Sequence, residues 1–433
     1  MNGLGQTFVI VGAGLAGARA AAALRGEGFD GRLILIGDEP ERPYERPPLS
    51  KDYLRGELKK RPYVHPKGFY AEHEIELWTS TRVSGIDPGL RELLLEGDLR
   101  LGYDRLLLAT GARPSRLDVA GADLEGIHYL RTVADSERIG EWIESGQRLV
   151  VVGSGWIGAE IAASARQKGC EVTMLEMASL PLERVLGPEV GRIYLDLHRD
   201  HGVEFLPETT VERFEGHGSV ERVITRDGAA IETTFVVVGI GVAPRTGLIE
   251  HAGLRVNNGV VVDEKLQTSA PGVYAAGDVA NARHPFYGRH IRVEHWANAL
   301  NQGPAAAKNM LGMAEPYEEI PYFFSDQYET GMEYSGYASD WDEVVFRGDV
   351  GDREFAAFWL KDERLVAGMN MNVWDVSDPI RELIRSRRRL DPRQLADPDT
   401  PLEELVEPEL EANDEDEEER LALGAWASEG GSL

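Results

Sequence analysis

The sequence predicts an α/β protein: two Rossmann-like dinucleotide-binding domains and, after them, a smaller C-terminal α+β domain with an antiparallel sheet. Three observations carry this. Residues 7–37 read strand, glycine turn, helix, strand, as "TFVIV", "GAGLAG", "ARAAAALRGEG" and "RLILIG". Residues 149–176 repeat the plan as "LVVVG", "GSGWIG", "AEIAASARQKG" and "EVTMLE". Beyond residue 322 the texture changes: strand-like pieces such as "EVVFRG", "EFAAFWL" and "LVAGMNMNV" alternate with turns, the habit of an antiparallel sheet.

The elements follow in order. The apolar, β-branched runs suit parallel strands buried on both faces, and each is followed by glycines that open an alanine-rich helix. Two phrases echo each other, "RLLLATGARP" (105–114) and "FVVVGIGVAPR" (235–245). Each is a buried-type strand with a glycine and proline exit, as expected where the chain crosses between domains. The predicted division is therefore a discontinuous first domain (1–115 and 247–321), an inserted second domain (116–246) and a C-terminal domain (322–396). A helix is expected at "WANALNQGPAAAKNML" and a basic one at "PIRELIRSRRR". From residue 397 to 433 the chain is rich in Pro and acid, through "ELEANDEDEEER", and reads as a solvated, disordered tail.

Composition excludes several classes. The single cysteine, Cys170, permits no internal disulfide and no Cys-rich metal or cluster site, so no metal is expected. A net charge of −28 argues against nucleic acid or an anionic membrane as partner. The apolar stretch from Phe8 to Leu24 lacks a basic flank and is interrupted by glycines at fixed spacing, so it is not read as a targeting signal, and the protein is expected in the cytoplasm.

Gly12, Gly14 and Gly17 form G-x-G-x-x-G after a strand and at the start of a helix. Such glycines give a tight turn and let backbone approach a pyrophosphate, which sits on the positive helix N-terminus. Asp38 and Glu39 stand where a ribose-binding carboxylate belongs, at the end of the second strand. Gly153, Gly155 and Gly158 repeat the motif, with Glu176 ending its second strand. Glu176 accepts hydrogen bonds from a ribose 2′-OH and repels a 2′-phosphate, and "MASLPLE" after it offers no cation, so NADH is favoured over NADPH. A plain exposed strand end is the competing reading of Glu176. Two dinucleotide sites call for a division of labour, with a tightly bound flavin in one and a diffusible nicotinamide in the other.

The phrases "VIVGAGLAG", "RPYERPPLSK", "LLLATGARP", "VVVGSGWIGAE", "VYAAGDVA", "FSDQY" and "DEVVFRG", in this order, resemble the FAD-dependent pyridine-nucleotide reductases. More narrowly, the chain is similar to the ferredoxin and rubredoxin reductases that feed bacterial oxygenases, whose relatives include apoptosis-inducing factor. The resemblance implies FAD and NADH as cofactors and a small iron–sulfur ferredoxin as partner. It also gives meaning to the proline-stiffened arm "PPLSK". Where disulfide-reducing cousins carry a cysteine pair, this region has none, and the arm matches one that brings a lysine, Lys51, to the flavin. The family pairs that lysine with the glutamate of "GWIGAE", here Glu160.

The resemblance further implies FAD contacts from Ala16, Asp38, Glu39, Arg46, Val83, Ala109, Thr110, Gly111, Arg131, Gly277, Asp278, Glu294, His295 and Trp296. It implies nicotinamide-side contacts from Trp156, Ile157, Glu160 and Gly241. Two departures stand out. Phe324 occupies the first place of "FSDQ", where tryptophan is common, and Arg245 follows Pro244, where asparagine is common.

The function expected is NADH:ferredoxin oxidoreductase in an oxygenase system, such as one with a haem monooxygenase, acting as a monomer or weak dimer. The alternatives are a rubredoxin reductase, an NADH oxidase or disulfide reductase, and a redox-gated binding protein of the apoptosis-inducing-factor type. Because the protein is acidic, docking of an acidic ferredoxin needs a local basic surface. The candidate is Arg381, Arg385, Arg387, Arg388, Arg389 and Arg393; a solvated helix face is the competing reading.

Overall fold

The computed structural model describes residues 5–406, which fall into two compact units divided between residues 339 and 340. The first unit holds two five-stranded parallel sheets. In one, β1 (Thr7–Val11) lies between β2 (Arg32–Ile36) and β4 (Arg105–Leu108). Outside them run β3 (Ile75–Trp78) and a strand from much later in the chain, Val273–Ala275. In the other, β5 (Arg148–Val152) lies between β6 (Glu171–Leu175) and β8 (Phe235–Val238), with β7 (Glu204–Leu206) and Ile127–His128 at the edges. Phe235–Val238 is buried throughout, and so is β2 after its first residue. That is why both read as unbroken apolar runs rather than alternating ones.

The repeated unit predicted from the sequence is present twice. Helix α1 (Leu15–Gly26) follows β1, α2 (Val133–Trp142) precedes β5, and α3 (Trp156–Gln167) follows β5. Small residues let α1 approach α5 (Trp296–Met310) closely: a Cβ on Gly303 would lie 2.3 Å from the Ala16 carbonyl oxygen. This packing holds the turn before the 3-10 segment Gly277–Val279, because Gln302 Oε1 accepts from the Gly277 N–H at 2.9 Å.

Two crossings join the dinucleotide folds. Ala112–Pro114 pairs antiparallel with Val242–Pro244, placing the exits of both buried strands side by side. The hairpin β9 (Tyr322–Gln327) and β10 (Thr330–Gly336) turns at Tyr328, whose φ is +58°. There it meets the end of α4 (Glu183–Asp200). His201 stacks on the Tyr328 ring at 3.7 Å, and His198 Nδ1 lies 3.0 Å from the Tyr328 hydroxyl.

In the second unit β11 (Glu343–Asp349), β12 (Glu354–Lys361) and β13 (Arg364–Met371) form an antiparallel meander. Helix α6 (Ser377–Ser386) buries Ile380, Leu383 and Ile384 and lies close on β13, since a Cβ on Gly368 would meet Ile380 Cγ2 at 2.8 Å. Residues 397–406, expected to belong to the solvated tail, are largely exposed but held at particular points. Leu402 is buried and Arg347 donates to the carbonyls of Pro398 and Thr400. "ELEANDEDEEER" lies outside the described residues.

Burial holds the His198 ring neutral, with its pKa lowered to about 4. The unfolded chain therefore takes up the proton first on acidification. Its contribution is complete above pH 6.5 and is lost as the pH falls towards 4. We expect the unfolding free energy from urea titrations to drop across that window, by up to about 3 kcal/mol from this residue. In a His198→Asn variant that part of the pH slope should be absent.

Candidate functional site

The site begins with the first glycine turn. A Cβ on Gly12 would lie 2.1 Å from the Ala109 carbonyl oxygen, and one on Gly17 would lie 2.1 Å from the Gly12 carbonyl oxygen. Both are closed by packing. Gly14 is the opposite case: nothing lies within 4 Å of its Cβ position. The turn thus leaves an open cradle at the N-terminus of α1, shaped for a phosphate group. A cavity of about 320 Å³ runs from this cradle past Lys51, Arg131, Trp156, Glu160, Asp278, His295 and Trp296 to Phe323 and Phe324. A second, of about 570 Å³, contains Val83 and shares Gly12, Asp38, Thr110 and Arg245 with the first. Two cavities that share one glycine turn suit an elongated dinucleotide better than a compact ligand.

The arm is fixed before it reaches the cavity. Its prolines form a 3-10 turn, Pro47–Ser50. Ser136 Oγ donates to the Leu49 carbonyl at 2.8 Å and Ser164 Oγ to the Ser50 carbonyl at 2.7 Å, tying the arm to two helices of the inserted fold. Lys51 Nζ then lies 2.9 Å from Glu160 Oε1, with side chains only 10% and 5% exposed. Glu160 is one turn into α3, so it shares the cavity-facing side of that helix with Trp156. Ser50 Oγ donates to Glu160 Oε2 and Ser325 Oγ to Oε1, the latter at 2.7 Å. Lys51 also lies 5.5 Å over the Phe324 ring.

Three guanidiniums converge on the same groove. Arg131 Nη2 donates to Asp278 Oδ2 at 2.7 Å, Arg46 Nη2 to Glu39 Oε1 at 3.0 Å, and Arg245 Nη1 to Asp38 Oδ2 at 3.0 Å. Arg46 also donates to the Arg131 carbonyl, and Tyr44 to Glu39. Burial, with Arg46 nearby, pushes the Arg131 pKa below its ordinary value. Burial likewise lowers His295 to about 4, so the ring is neutral where it stacks on Phe323 at 4.2 Å. Glu294 pairs with Arg292, and burial raises its carboxyl above the usual range. Trp296 Nε1 donates to Glu45 Oε2.

The second turn repeats the first. A Cβ on Gly153 or Gly158 would strike the Gly239 or Gly153 carbonyl oxygen at 2.6 and 2.0 Å, whereas Gly155 faces open space. Glu176 stands beside this cradle. Its Oε2 accepts from both the N–H and the hydroxyl of Ser154 at 2.7 Å. Ile157, Met177 and Ile240, on the segments that form this turn, remain exposed. Gly241 adopts φ +100° just beyond.

The residues predicted from sequence thus fall in two groups. Lys51, Glu160, Asp38, Glu39, Arg46, Arg131, Asp278, Glu294, His295, Trp296, Trp156 and Ile157 line the first cavity with Gly12, Gly14, Ala16, Ala109, Thr110, Gly111 and Gly277, and Val83 lines the one that adjoins it. Gly153, Gly155, Gly158, Glu176 and Gly241 form the second cradle or flank it. Ser50, Ser325, Glu45 and Phe323 were not anticipated. Ser50 and Ser325 stood inside the motifs quoted above, but nothing local shows that both hydroxyls point at one carboxylate.

An FAD fits these residues. The open Gly14 cradle leaves room for its diphosphate, and Arg131 Nε and Trp156 Nε1, on side chains lining the groove, are buried with no hydrogen-bond partner. No cluster of His, Cys, Asp and Glu that could hold a metal occurs among the described residues. Cys170 is buried in the hydrophobic core of the inserted fold and lines neither cavity.

Two glycine cradles joined across a buried lysine–glutamate pair define an oxidoreductase that uses two dinucleotides, FAD as the resident one and a pyridine nucleotide as the other. The chain belongs to the pyridine nucleotide-disulphide oxidoreductase family, which matches residues 6–303, and carries the reductase C-terminal domain over residues 322–406. It is 37% identical to putidaredoxin reductase CamA of Pseudomonas putida, over 93% of this chain and 97% of that protein. It is 38% identical to the ferredoxin–NAD(+) reductase component of the anthranilate 1,2-dioxygenase system of Burkholderia cepacia, over 90% and 97%. Among solved structures it is similar to the covalent putidaredoxin reductase–putidaredoxin complex, with a TM-score of 0.89, 37% identity, and coverage of 93% of this chain and 98% of that one.

Removing one partner of the Lys51–Glu160 pair leaves a buried charge. Lys51→Met should lower stability in urea by about 3 kcal/mol at pH 8. Lys51→Met/Glu160→Gln should recover most of that loss, because the amide keeps hydrogen-bonding atoms for both serines. Equal losses in the single and double variants would show the pair to be uncoupled.

Proposed function

We propose that the protein is an NADH-dependent ferredoxin reductase of an oxygenase system, working in the cytoplasm. One observation carries the reading. The groove shared by the two dinucleotide folds is closed by a lysine–glutamate pair, in a chain whose only cysteine is buried elsewhere. A disulfide reductase or a cysteine-dependent oxidase needs a thiol in that groove. The dioxygenase-system and putidaredoxin relatives support a small iron–sulfur protein as the acceptor.

Bound FAD supplies a ring that takes a hydride and releases electrons one at a time. The chain's own residues do the rest. Gly14 and the N-terminus of α1 hold the diphosphate, and Asp38 and Asp278 take sugar and ribityl hydroxyls. The second cradle holds NADH, with Glu176 on its ribose. Trp156 and Glu160, presented by one helix face, line the nicotinamide approach and exclude water. Lys51 keeps a positive charge beside the ring, which favours the electron-rich reduced state. No protein nucleophile or metal is used.

The arginine run of the second unit is more committed than its sequence suggests. Arg381 pairs with Asp378, Arg389 with Glu363 at 3.2 Å, and Arg388 donates to the carbonyls of Leu405 and Val406. Arg387 ends α6 at φ +53°, and its carbonyl accepts from Arg364. Much of this run therefore ties the C-terminal turns together. As a docking surface it offers local charge, not a bare cationic helix face.

The test is a screen of small iron–sulfur ferredoxins with NADH as donor and a haem protein as final acceptor. We expect ferredoxin-dependent turnover. A flavoprotein that is reduced by NADH yet passes no electrons to any ferredoxin would belong to the redox-gated binding class. Stopped-flow reduction should give a higher kcat/KM with NADH than with NADPH, by tenfold or somewhat more. Glu176→Ala should narrow that gap. In Lys51→Met, reduction by NADH should slow and the flavin potential should fall; wild-type values for both would refute a role for the lysine at the ring.

A further inference from the structure

Arg245 has no role in the reading above, yet it stands at the rim of every part of the groove. It lines both cavities of the dinucleotide site and a third, arginine-rich one beside them. Its backbone is pinned there: its N–H donates to the Gly111 carbonyl at 2.9 Å, and its own carbonyl accepts from Thr110 Oγ1 at 3.2 Å. Only the side chain is free to choose a partner. The partner it has is Asp38, through a pair whose side chains are 39% and 51% exposed.

That pair is unlike its neighbours. Arg131 and Asp278 are 21% and 10% exposed, Arg46 and Glu39 30% and 27%. Those guanidiniums are held by carboxylates inside the groove. An ion pair as exposed as Asp38–Arg245 contributes little stability, so it opens readily. A doubly charged diphosphate in the Gly14 cradle is a better partner for a guanidinium than a solvated carboxylate, because it accepts two parallel, charge-assisted bonds. Asp38, for its part, has ribose hydroxyls to take. The mutual influence of Arg131 and Arg245 is already visible, since Arg245 is among the charges that lower the Arg131 pKa. Of the three cations, Arg245 is the one whose carboxylate is most exposed, and so the one most readily given over to a bound anion.

We propose that Arg245 is a diphosphate-binding residue, and that the Asp38–Arg245 ion pair is exchanged when the cofactor binds. Asp38 turns to the ribose hydroxyls and the guanidinium turns to the diphosphate. The pair holds both side chains at the rim until then, and afterwards Arg245 straps the middle of the dinucleotide. This rests on the assignment of FAD to the first cradle.

The test uses the full chain stripped of flavin and titrated with FAD, with quenching of flavin fluorescence as the readout. In Arg245→Asn the FAD dissociation constant should rise about tenfold, equivalent to ~1.4 kcal/mol, and its salt dependence should flatten. Displacement titrations separate the groups bound: ADP should weaken by a similar factor, whereas adenosine, which carries the ribose without phosphate, should bind as in the wild type. Arg245→Lys should keep part of the affinity, which a folding defect would not explain. FAD affinity that is unchanged in Arg245→Asn overturns the inference. Tighter binding also overturns it, because Arg245 would then only compete with ribose for Asp38. Equal losses for ADP and adenosine do the same. A wild-type apoprotein that takes up no FAD would overturn the cofactor assignment itself; the other outcomes overturn this inference alone.

Discussion

The buried pair of Lys51 and Glu160 is the interaction on which the rest of the site depends. Removing both charges from water is expensive, and their attraction repays it only when geometry and extra hydrogen bonds are good. Here Glu160 gains Ser50 and Ser325 as donors besides the ammonium. The lysine comes from an arm of the first fold, the glutamate from a helix of the inserted fold and Ser325 from the hairpin that follows. No one segment can satisfy the carboxylate alone, so the pair is whole only when all three are in register. A site that must align two dinucleotides gains from a contact that forms only when both cradles are correctly placed.

The arm makes that contact affordable. A flexible segment ending in lysine would lose much conformational freedom on ordering. Prolines 47 and 48 fix the approach in advance, and Ser136 and Ser164 accommodate the carbonyls that the turn leaves over. Upstream, Arg46 and Tyr44 lock onto Glu39, and Tyr44 also accepts from the Val133 N–H at 3.1 Å. Burial holds the Tyr44 hydroxyl well above its ordinary pKa, so it stays a neutral donor. The odd composition of "GDEPERPYERPPLSKDY" is thus a chain of constraints, each of which places the next.

Contiguous signals were the legible ones. Both glycine turns, the acidic strand ends and the arm each occupy a short stretch with its own physical logic, so they read without a partner in view. The sites of convergence did not read. Ser325 lies 165 residues from Glu160, and Arg245 lies 207 residues from Asp38. Nothing in "FSDQ" or "GVAPR" shows where a hydroxyl or guanidinium will point, because that is set by sheet order and by the pairing of the two crossing strands. The arginine run is legible as charge but not as contacts. Glu363 at Arg389 and the Leu405 and Val406 carbonyls at Arg388 are brought in by the fold, and the run alone does not show them. At the start of the tail, the burial of Leu402 was likewise not visible in the acidic composition around it.

The distribution of charge has a consequence for the order of events. The chain carries a net charge of −28, yet its groove gathers Arg46, Arg131, Arg245 and Lys51. Anionic nucleotides approaching such a surface are repelled at long range, but over about 8 Å at physiological salt that repulsion is screened. The cations inside then act at short range on whatever has entered. Each is preorganised by a carboxylate, which limits the penalty of holding like charges together while the groove is formed. The carboxylates do not become idle when a dinucleotide arrives, because its sugars offer hydroxyls where its phosphates offer charge. Alternating cations and carboxylates along one groove therefore match an alternating polyol and polyphosphate chain, and the same match disfavours a simple inorganic anion, which would meet the cations and the carboxylates together.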